Sequence, residues 1–344
     1  MHKKALIAMS GGVDSAVAAM LAQSDGFDCA GAYMKLYPGA DGSETDARAA
    51  ANHLRIPFHE LDYSKRFTSQ VIESFINTYR EGRTPNPCII CNKLLKFGGF
   101  LEKALELGRE VVVTGHYARV ERGADGRFLL KKGADISKDQ SYVLYTLSQE
   151  QLSRARFPLG NLLKRRVREL AAEAGFSNLS KRESQDICFI PDGDYAGFIF
   201  EYTGIAPEKG RFVDVHGNYL GEHNGVVCYT IGQRRGMGLA MPYPAYVLEL
   251  RPGDNTVVVG RDELLYSSKL VANDINLIPF DRIEGPIRAS VKIRYNHPGQ
   301  PATVRQTDED SLYIEFDEPQ RAITKGQAAV IYDGDVVIGG GTIS

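Results

Sequence analysis

The sequence predicts an α/β plus β protein: an N-terminal doubly wound, mainly parallel sheet, then a small central β domain and a C-terminal β barrel. Three observations predict it. As far as about Ala206, strand-length apolar runs alternate with helical periodicities, the pattern of βαβ units. Two glycines, Gly11 and Gly12, turn the chain sharply after the first apolar run. Beyond Pro207 the runs become short and alternating, separated by Gly, Asn and Pro turns, as in β structure. The expected units are residues 1–206, 207–270 and 271–344.

Ala5 to Met9 reads as a buried strand, and Val13, Val17, Met20 and Leu21 recur at helical spacing behind the glycines. Cys29 to Met34 and Phe58 to Leu61 are further strands, separated by a helix over Glu44 to Leu54. Lys65 to Glu81 is a longer helix, with Val71, Phe75 and Tyr79 on one face and Gly82 at its end. Pro85 and Pro87 interrupt regular structure before Cys88 and Cys91, and Lys93 to Leu107 is helical. That reading sets both thiols on a stiff loop near a helix start, where the dipole favours thiolate.

The strand Val111 to Thr114 leads into Gly115-His116-Tyr117 and a hairpin turning at Ala124-Asp125-Gly126. Asp139 stands where a helix N-cap could, ahead of the apolar run Val143 to Leu147. A basic helix, Lys164 to Ala174, precedes Glu183-Ser184-Gln185-Asp186. Arg211 to Val215, Val226 to Ile231, Tyr246 to Leu250 and Thr256 to Val259 are the central strands. The runs beginning at Ala289, Ala302, Leu312, Ala328 and Val336 build the barrel.

At 344 residues with 43% hydrophobic and 24% charged residues, the chain can bury several cores, and disorder is excluded. Lys3-Lys4 precedes too few apolar residues for a secretory leader, and no run reaches the roughly 18 of a membrane span, so a cytoplasmic protein without a membrane partner is expected. Five cysteines, an odd number, argue for reduced thiols. The net charge of −2 conceals a polarity: Arg154 to Arg182 holds eight basic residues against two acidic, and Pro301 to Ser344 three basic against eight acidic. Such a molecule attracts phosphate on one side; the plainer reading is a solvated helix face.

A strand, tight turn and helix leave backbone N–H groups at the positive end of the helix, with the Ser10 and Ser15 hydroxyls around the same concavity. The lysine of the GxxxxGK[ST] loop is missing, and an acid at Asp14 beside phosphates suggests a bridging Mg²⁺. Ser10-Gly11-Gly12-Val13-Asp14-Ser15 resembles the loop of ATP pyrophosphatases, which split ATP between the α and β phosphates and transfer AMP to a substrate oxygen. The expected ATP site is Ala8, Met9, Ser10, Gly11, Gly12, Val13, Asp14 and Ser15, with Met34 and Gly115 at neighbouring strand ends. Core packing is the other reading of Met34.

Cys29 and Cys228, in apolar strands, read as small buried hydrophobes. Cys88 and Cys91 form a CxxC pair without the second pair a closed zinc site needs, and Cys188 supplies a third thiol. Three thiolates with an open position suit an iron–sulfur cluster; the same residues suit a working pair with a spare.

Thr84-Pro85-Asn86-Pro87 leading to Cys91-Asn92-Lys93, Thr114-Gly115-His116-Tyr117, Lys138-Asp139-Gln140-Ser141-Tyr142, Cys188-Phe189-Ile190 and Gly339-Gly340-Gly341, with the Ser10 loop, together resemble the tRNA-specific 2-thiouridylases over essentially the whole chain. The resemblance implies an adenine nucleotide alpha hydrolase-like first domain and ATP-dependent replacement of the C2 oxygen of the wobble uridine by sulfur, in tRNAs for lysine, glutamate and glutamine. It implies Cys188 as the persulfide carrier, Cys91 as nucleophile, a Cys91–Cys188 disulfide after turnover and Asp14 as a further catalytic candidate. By the same resemblance His116, Lys138, Asp139, Gln140, Arg294, Tyr295 and Gln327 contact the anticodon loop of tRNA, and a cysteine desulfurase or sulfur-relay protein donates the sulfur. Arg294-Tyr295 also pairs a phosphate binder with a stacking ring. Cys88 stands where many members have aspartate, which keeps a cluster on Cys88, Cys91 and Cys188 as an alternative. A different ATP-dependent ligase and an RNA-binding metalloprotein are the rival functions.

Overall fold

The computed structural model describes residues 3–37, 43–176 and 187–344. β1 (Lys4–Ala8) is central because its side chains alternate between two apolar faces: Ala5 and Ile7 pack under one helical layer and Leu6 under the other. β2 (Asp28–Lys35), β3 (Phe58–Asp62), β4 (Val111–Val113) and a two-residue β7 (Ala155–Arg156) complete an all-parallel sheet in the order β3-β2-β1-β4-β7. The strand order reverses between β1 and β4, so the crevice beyond their carboxyl ends is the expected ligand position. α1 (Val13–Ser24) and α2 (Ser43–His53) cover one face.

Two long helices follow. α3 (residues 64–80) contains a π-helical stretch over Thr68–Ile72, and α4 (residues 87–106) contains another over Cys91–Gly99. They pack closely at Gly99, where a Cβ would lie 2.9 Å from the Tyr63 ring and would run into Arg66; Tyr63 donates its hydroxyl to the Gly99 carbonyl at 2.8 Å. The expectation of a loop around the cysteines is corrected here. Pro87 sits at the first helical position, where its missing N–H is no loss, so Cys88 and Cys91 belong to α4 itself. α5 (Lys164–Glu173) lies beside α1 and ends at a left-handed Gly175.

β5 (Ala118–Arg122) and β6 (Phe128–Lys132) form the expected hairpin, but β6 pairs with the C-terminal sheet rather than the first. After α6 (Tyr195–Thr203), the central unit is β8 (Gly210–Val213), β9 (Tyr219–His223), β10 (Tyr246–Arg251) and β11 (Thr256–Gly260), ordered β10-β11-β8-β9. The strand expected over Val226 to Ile231, and with it the strand setting of Cys228, is a single 3₁₀ turn, Val226–Cys228. His223 Nδ1 accepts from the Gly225 N–H and Asn255 Oδ1 from the Val226 N–H, which takes these donors out of any ladder.

β12 (Tyr266–Leu277), β13 (Ile287–Lys292), β14 (Gln300–Gln306), β15 (Ser311–Arg321), β16 (Ala328–Asp333) and β17 (Val336–Ile343) close into a six-stranded barrel through the β12–β17 pairing. One apolar core runs from Leu6 and Phe100 through Tyr142 to Val330 and Val337, so the parallel sheet and the barrel are held by shared packing. The glycine run in β17 belongs to this seam: a Cβ on Gly340 would run into the Ala329 carbonyl and lie 3.0 Å from the Tyr145 ring. Among the described residues no helix is long and apolar enough to cross a membrane. Gly340→Ala is expected to destabilise the protein by about 1–3 kcal/mol through overpacking; thermal denaturation checks this, and a melting temperature equal to wild type refutes the seam as rigid.

Candidate active site

β1 delivers the chain into a turn only glycine can make. Gly11 has φ +77°, and a Cβ there would run into the Ser43 backbone at the start of α2. Gly12 is the extended N-cap of α1 with no side-chain cap, so the first N–H groups of that helix face the crevice. Ser15 shapes the turn: its Oγ accepts from the Ser10 N–H at 3.2 Å and donates to the Gly12 carbonyl at 2.9 Å. Across the switch point, Gly115 presses backbone to backbone, a Cβ there falling 2.9 Å from the carbonyl carbon of Asp14. Ser10 is exposed, Ala8 and Val13 are partly buried, and Met9 is core. Met34 is half-buried between the sheet core and the α3–α4 core.

The sequence reading set Asp14 beside phosphate with a bridging cation. In the structure Lys164 Nζ lies 2.7 Å from each Asp14 carboxylate oxygen, and the Tyr117 hydroxyl donates to the same carboxylate at 2.8 Å. Neither partner was singled out from the sequence, because both come from elements far along the chain. The available signal was a lysine opening a helix, the wrong end for a cation. The neighbouring basic residues are partly compensated, Arg166 by Glu173 at 2.8 Å and Arg165 by Glu169 at 3.6 Å, so the positive segment is less of an anion surface than its composition suggests. Lys181, Arg182 and Glu183 to Asp186 lie outside the described residues.

The thiols gather at the start of α4. Cys91 is 7% exposed, while Cys88 and Cys188 each present a face to solvent. Phe189, next to Cys188, packs edge-on against Phe67 and Phe75 at 5.6 and 5.3 Å, anchoring that segment in the core that also holds Cys91. The dipole-stabilised thiolate expected from the sequence is corrected: burial outweighs the helix start and pushes Cys91 up to about 11, with the other two thiols raised as well. The opposing charge is Lys96, which acts on all three. In a π-helical stretch residues five apart are one turn apart, which brings Lys96 toward the Cys91 face. Among the described residues no group of three or more His, Cys, Asp or Glu side chains is placed to hold a metal ion.

The remaining expected residues fall into two sets. Arg294 and the Tyr295 ring, 36% exposed, face outward, and Lys138 is half-buried. The others tie the site together. His116 is buried beside Phe97 and Phe157, shares a 2.7 Å hydrogen bond with Thr114 Oγ1, and is held neutral first by burial and then by Lys96. Asp139 turns inward to accept from the Gly133 and Ser141 N–H groups, at 3.0 and 3.1 Å. Gln140 Oε1 accepts from the Tyr117 N–H at 3.0 Å. Tyr295 donates its hydroxyl to the Asp139 carbonyl at 3.1 Å, and Gln327 donates to the carbonyls of Thr84 and Pro85 at 3.0 and 3.2 Å.

Residues 3–192 match the family described as "tRNA methyl transferase HUP domain", 197–261 "tRNA methyl transferase PRC-barrel domain" and 267–343 "Aminomethyltransferase beta-barrel domain". A tRNA-specific 2-thiouridylase MnmA of Clostridioides difficile is 47% identical over 100% of this chain and 98% of its own length. Those of Lachnoclostridium phytofermentans and Carboxydothermus hydrogenoformans are 44% and 46% identical, each over 99% of this chain and 99% and 98% of their own. A solved 4-thiouridine synthetase–RNA complex with bound ATP is far more distant, with 19% identity and a TM-score of 0.38 over 56% of this chain and 46% of that one. Full-length identity at this level, on a parallel-sheet domain with a central β unit and a closed barrel, leads to one conclusion: the chain belongs to the tRNA-specific 2-thiouridylase family, whose members are tRNA-modifying sulfurtransferases.

Proposed function

We propose that this enzyme uses ATP to exchange the C2 oxygen of the wobble uridine for sulfur in tRNAs for lysine, glutamate and glutamine. The observation that carries the reading is the junction of two sites. Gly115 lies against the backbone of Asp14, and the next residue, His116, packs against Phe97 of α4, the helix that carries Cys88 and Cys91. A carbonyl oxygen is a poor leaving group, so activation comes first. The C2 oxygen attacks the α-phosphorus, and pyrophosphate departs from the cradle of α1 N–H groups. A lone carboxylate at Asp14, together with substrate phosphates, is the donor set that suits Mg²⁺, which would neutralise the leaving charge.

A persulfide on Cys188 then attacks C2 and AMP leaves with the oxygen. The Cys91 thiolate attacks Cys188 Sγ, forming a Cys91–Cys188 disulfide and leaving the outer sulfur on C2; a thiol reductant restores both cysteines. Cys188 is the exposed member and suits receipt of sulfur from a donor protein, while buried Cys91 is shielded from oxidants. The wobble base would be splayed toward Tyr295, with Lys138 and Arg294 meeting anticodon-loop phosphates and His116, Asp139, Gln140 and Gln327 shaping the surface they stand on. Cys88 keeps the cluster reading open, since Cys88 and Cys188 both act electrostatically on Cys91, and Cys88 on Cys188.

Three outcomes are expected. Because burial holds Cys91 near 11, its thiolate is scarce at neutral pH. Its alkylation by iodoacetamide, mapped by mass spectrometry, should therefore be slow at pH 7.5 and climb toward pH 11; a plateau below pH 9 contradicts this. Cys91→Ser and Cys188→Ser should each abolish 2-thiouridine, measured by nucleoside mass spectrometry after incubation with tRNA, ATP and a sulfide source, with tRNA affinity unchanged. Thiolation surviving in either variant defeats the mechanism. Cys88→Asp should retain activity; its loss, together with iron and labile sulfide in anaerobically purified protein, selects the cluster.

A further inference from the structure

We infer that Lys164 is the cation of the nucleotide site, held by Asp14 until the polyphosphate of the nucleotide displaces that carboxylate. The inference rests on the reading that the Ser10–Ser15 loop binds ATP, and it assigns the positive charge which that loop lacks in its own sequence.

Four observations carry it. Lys164 is only 8% exposed, and it opens α5, where the helix dipole disfavours an ammonium group. A buried lysine in that position is costly unless it serves a charge, and the charge it meets belongs to the nucleotide loop: both Asp14 oxygens at 2.7 Å. Asp14 lies in the first turn of α1, whose uncapped N-terminus is the anion cradle, so Lys164 Nζ stands at the rim of the same concavity. The lysine is also positioned from behind. Asp135 Oδ2 accepts the Lys164 backbone N–H at 2.9 Å and its Oδ1 accepts from Ser137, which supplies the cap that Leu163 cannot.

The arrangement answers an electrostatic difficulty. A carboxylate beside the phosphate cradle repels a polyanion, and a free ammonium buried there is unstable. Pairing the two offsets both charges before the nucleotide arrives. An arriving polyphosphate carries more charge than one carboxylate, takes the ammonium, and releases the Asp14 carboxylate to meet a divalent cation. Tyr117, which donates to Asp14 at 2.8 Å with its ring centroid 5.7 Å from Lys164 Nζ, holds the carboxylate through the exchange.

Calorimetric titration of the full chain with inorganic pyrophosphate, in EDTA so that no metal takes part, tests this. Lys164→Gln should weaken binding at least about tenfold, whereas Lys164→Arg, which keeps the charge, should stay within about threefold of wild type. Asp14→Asn releases the lysine and should tighten binding several-fold, and Asp14→Asn combined with Lys164→Gln should lose that gain. A double variant that keeps the gain, an Asp14→Asn variant that binds no better than wild type, or a folded Lys164→Gln variant that binds like wild type overturns the inference. Failure of the underlying reading is separate: it is seen when the wild-type chain, given tRNA and ATP, forms no AMP and pyrophosphate.

Discussion

The geometry depends on two close backbone approaches at the switch point of the parallel sheet. Gly11 passes against the backbone of Ser43 and Gly115 against that of Asp14, positions where a single Cβ would push neighbouring elements apart. Together they bring the start of α1, the start of α2 and the end of β4 into one crevice. The first N–H groups of α1, which have no side-chain cap, face that crevice and suit an anion there. Side chains add to this site without creating it, which is why the loop is short and why Ser15 is spent on bracing the turn.

Sulfur chemistry imposes an opposite demand. In the proposed reaction a persulfide and an adenylated base are both vulnerable to water, so burial would protect them, and burial disfavours the thiolate that must react. The protein resolves this by position. Cys91 is enclosed and strongly raised, Cys188 and Cys88 are open on one side, and the π-helical stretch of α4 carries Lys96 round to face them all. His116, neutral beside the same ammonium, adds no second positive charge to a crowded pocket.

The barrel is part of the site's framework. Gln327 holds the Thr84-Pro85 carbonyls just ahead of the cysteines, and Tyr295 holds the Asp139 carbonyl in the loop that leads, through Gln140, to Tyr117 and Asp14. The shared core from Leu6 to Val337 makes these ties stiff. Under the proposed docking, a nucleic acid seated on the exposed Arg294 and Tyr295 would touch a barrel that is tied through Asp139, Gln140 and Tyr117 to Asp14, and through Gln327 to the segment ahead of the cysteines.

Much of this was legible in the chain. Periodicity located β1, α1 and the following strands and helices, because each buries one or two faces and must repeat at 2 or 3.6 residues. Glycine marked the turn after β1, because Gly11 takes φ +77° and a Cβ there would run into the Ser43 backbone. The CxxC spacing marked the two thiols that the structure sets at the start of α4. What escaped was everything set by contacts between distant segments: the Lys164 and Tyr117 partners of Asp14, the transfer of the β5–β6 hairpin to the barrel sheet, the loss of the Val226 strand to side-chain acceptors, and the raised thiols. Local sequence determined which backbone and chemistry each stretch could offer. Tertiary packing alone decided which charges meet and which groups lose water, since ion pairing and desolvation depend on neighbours in space and leave no period along the chain.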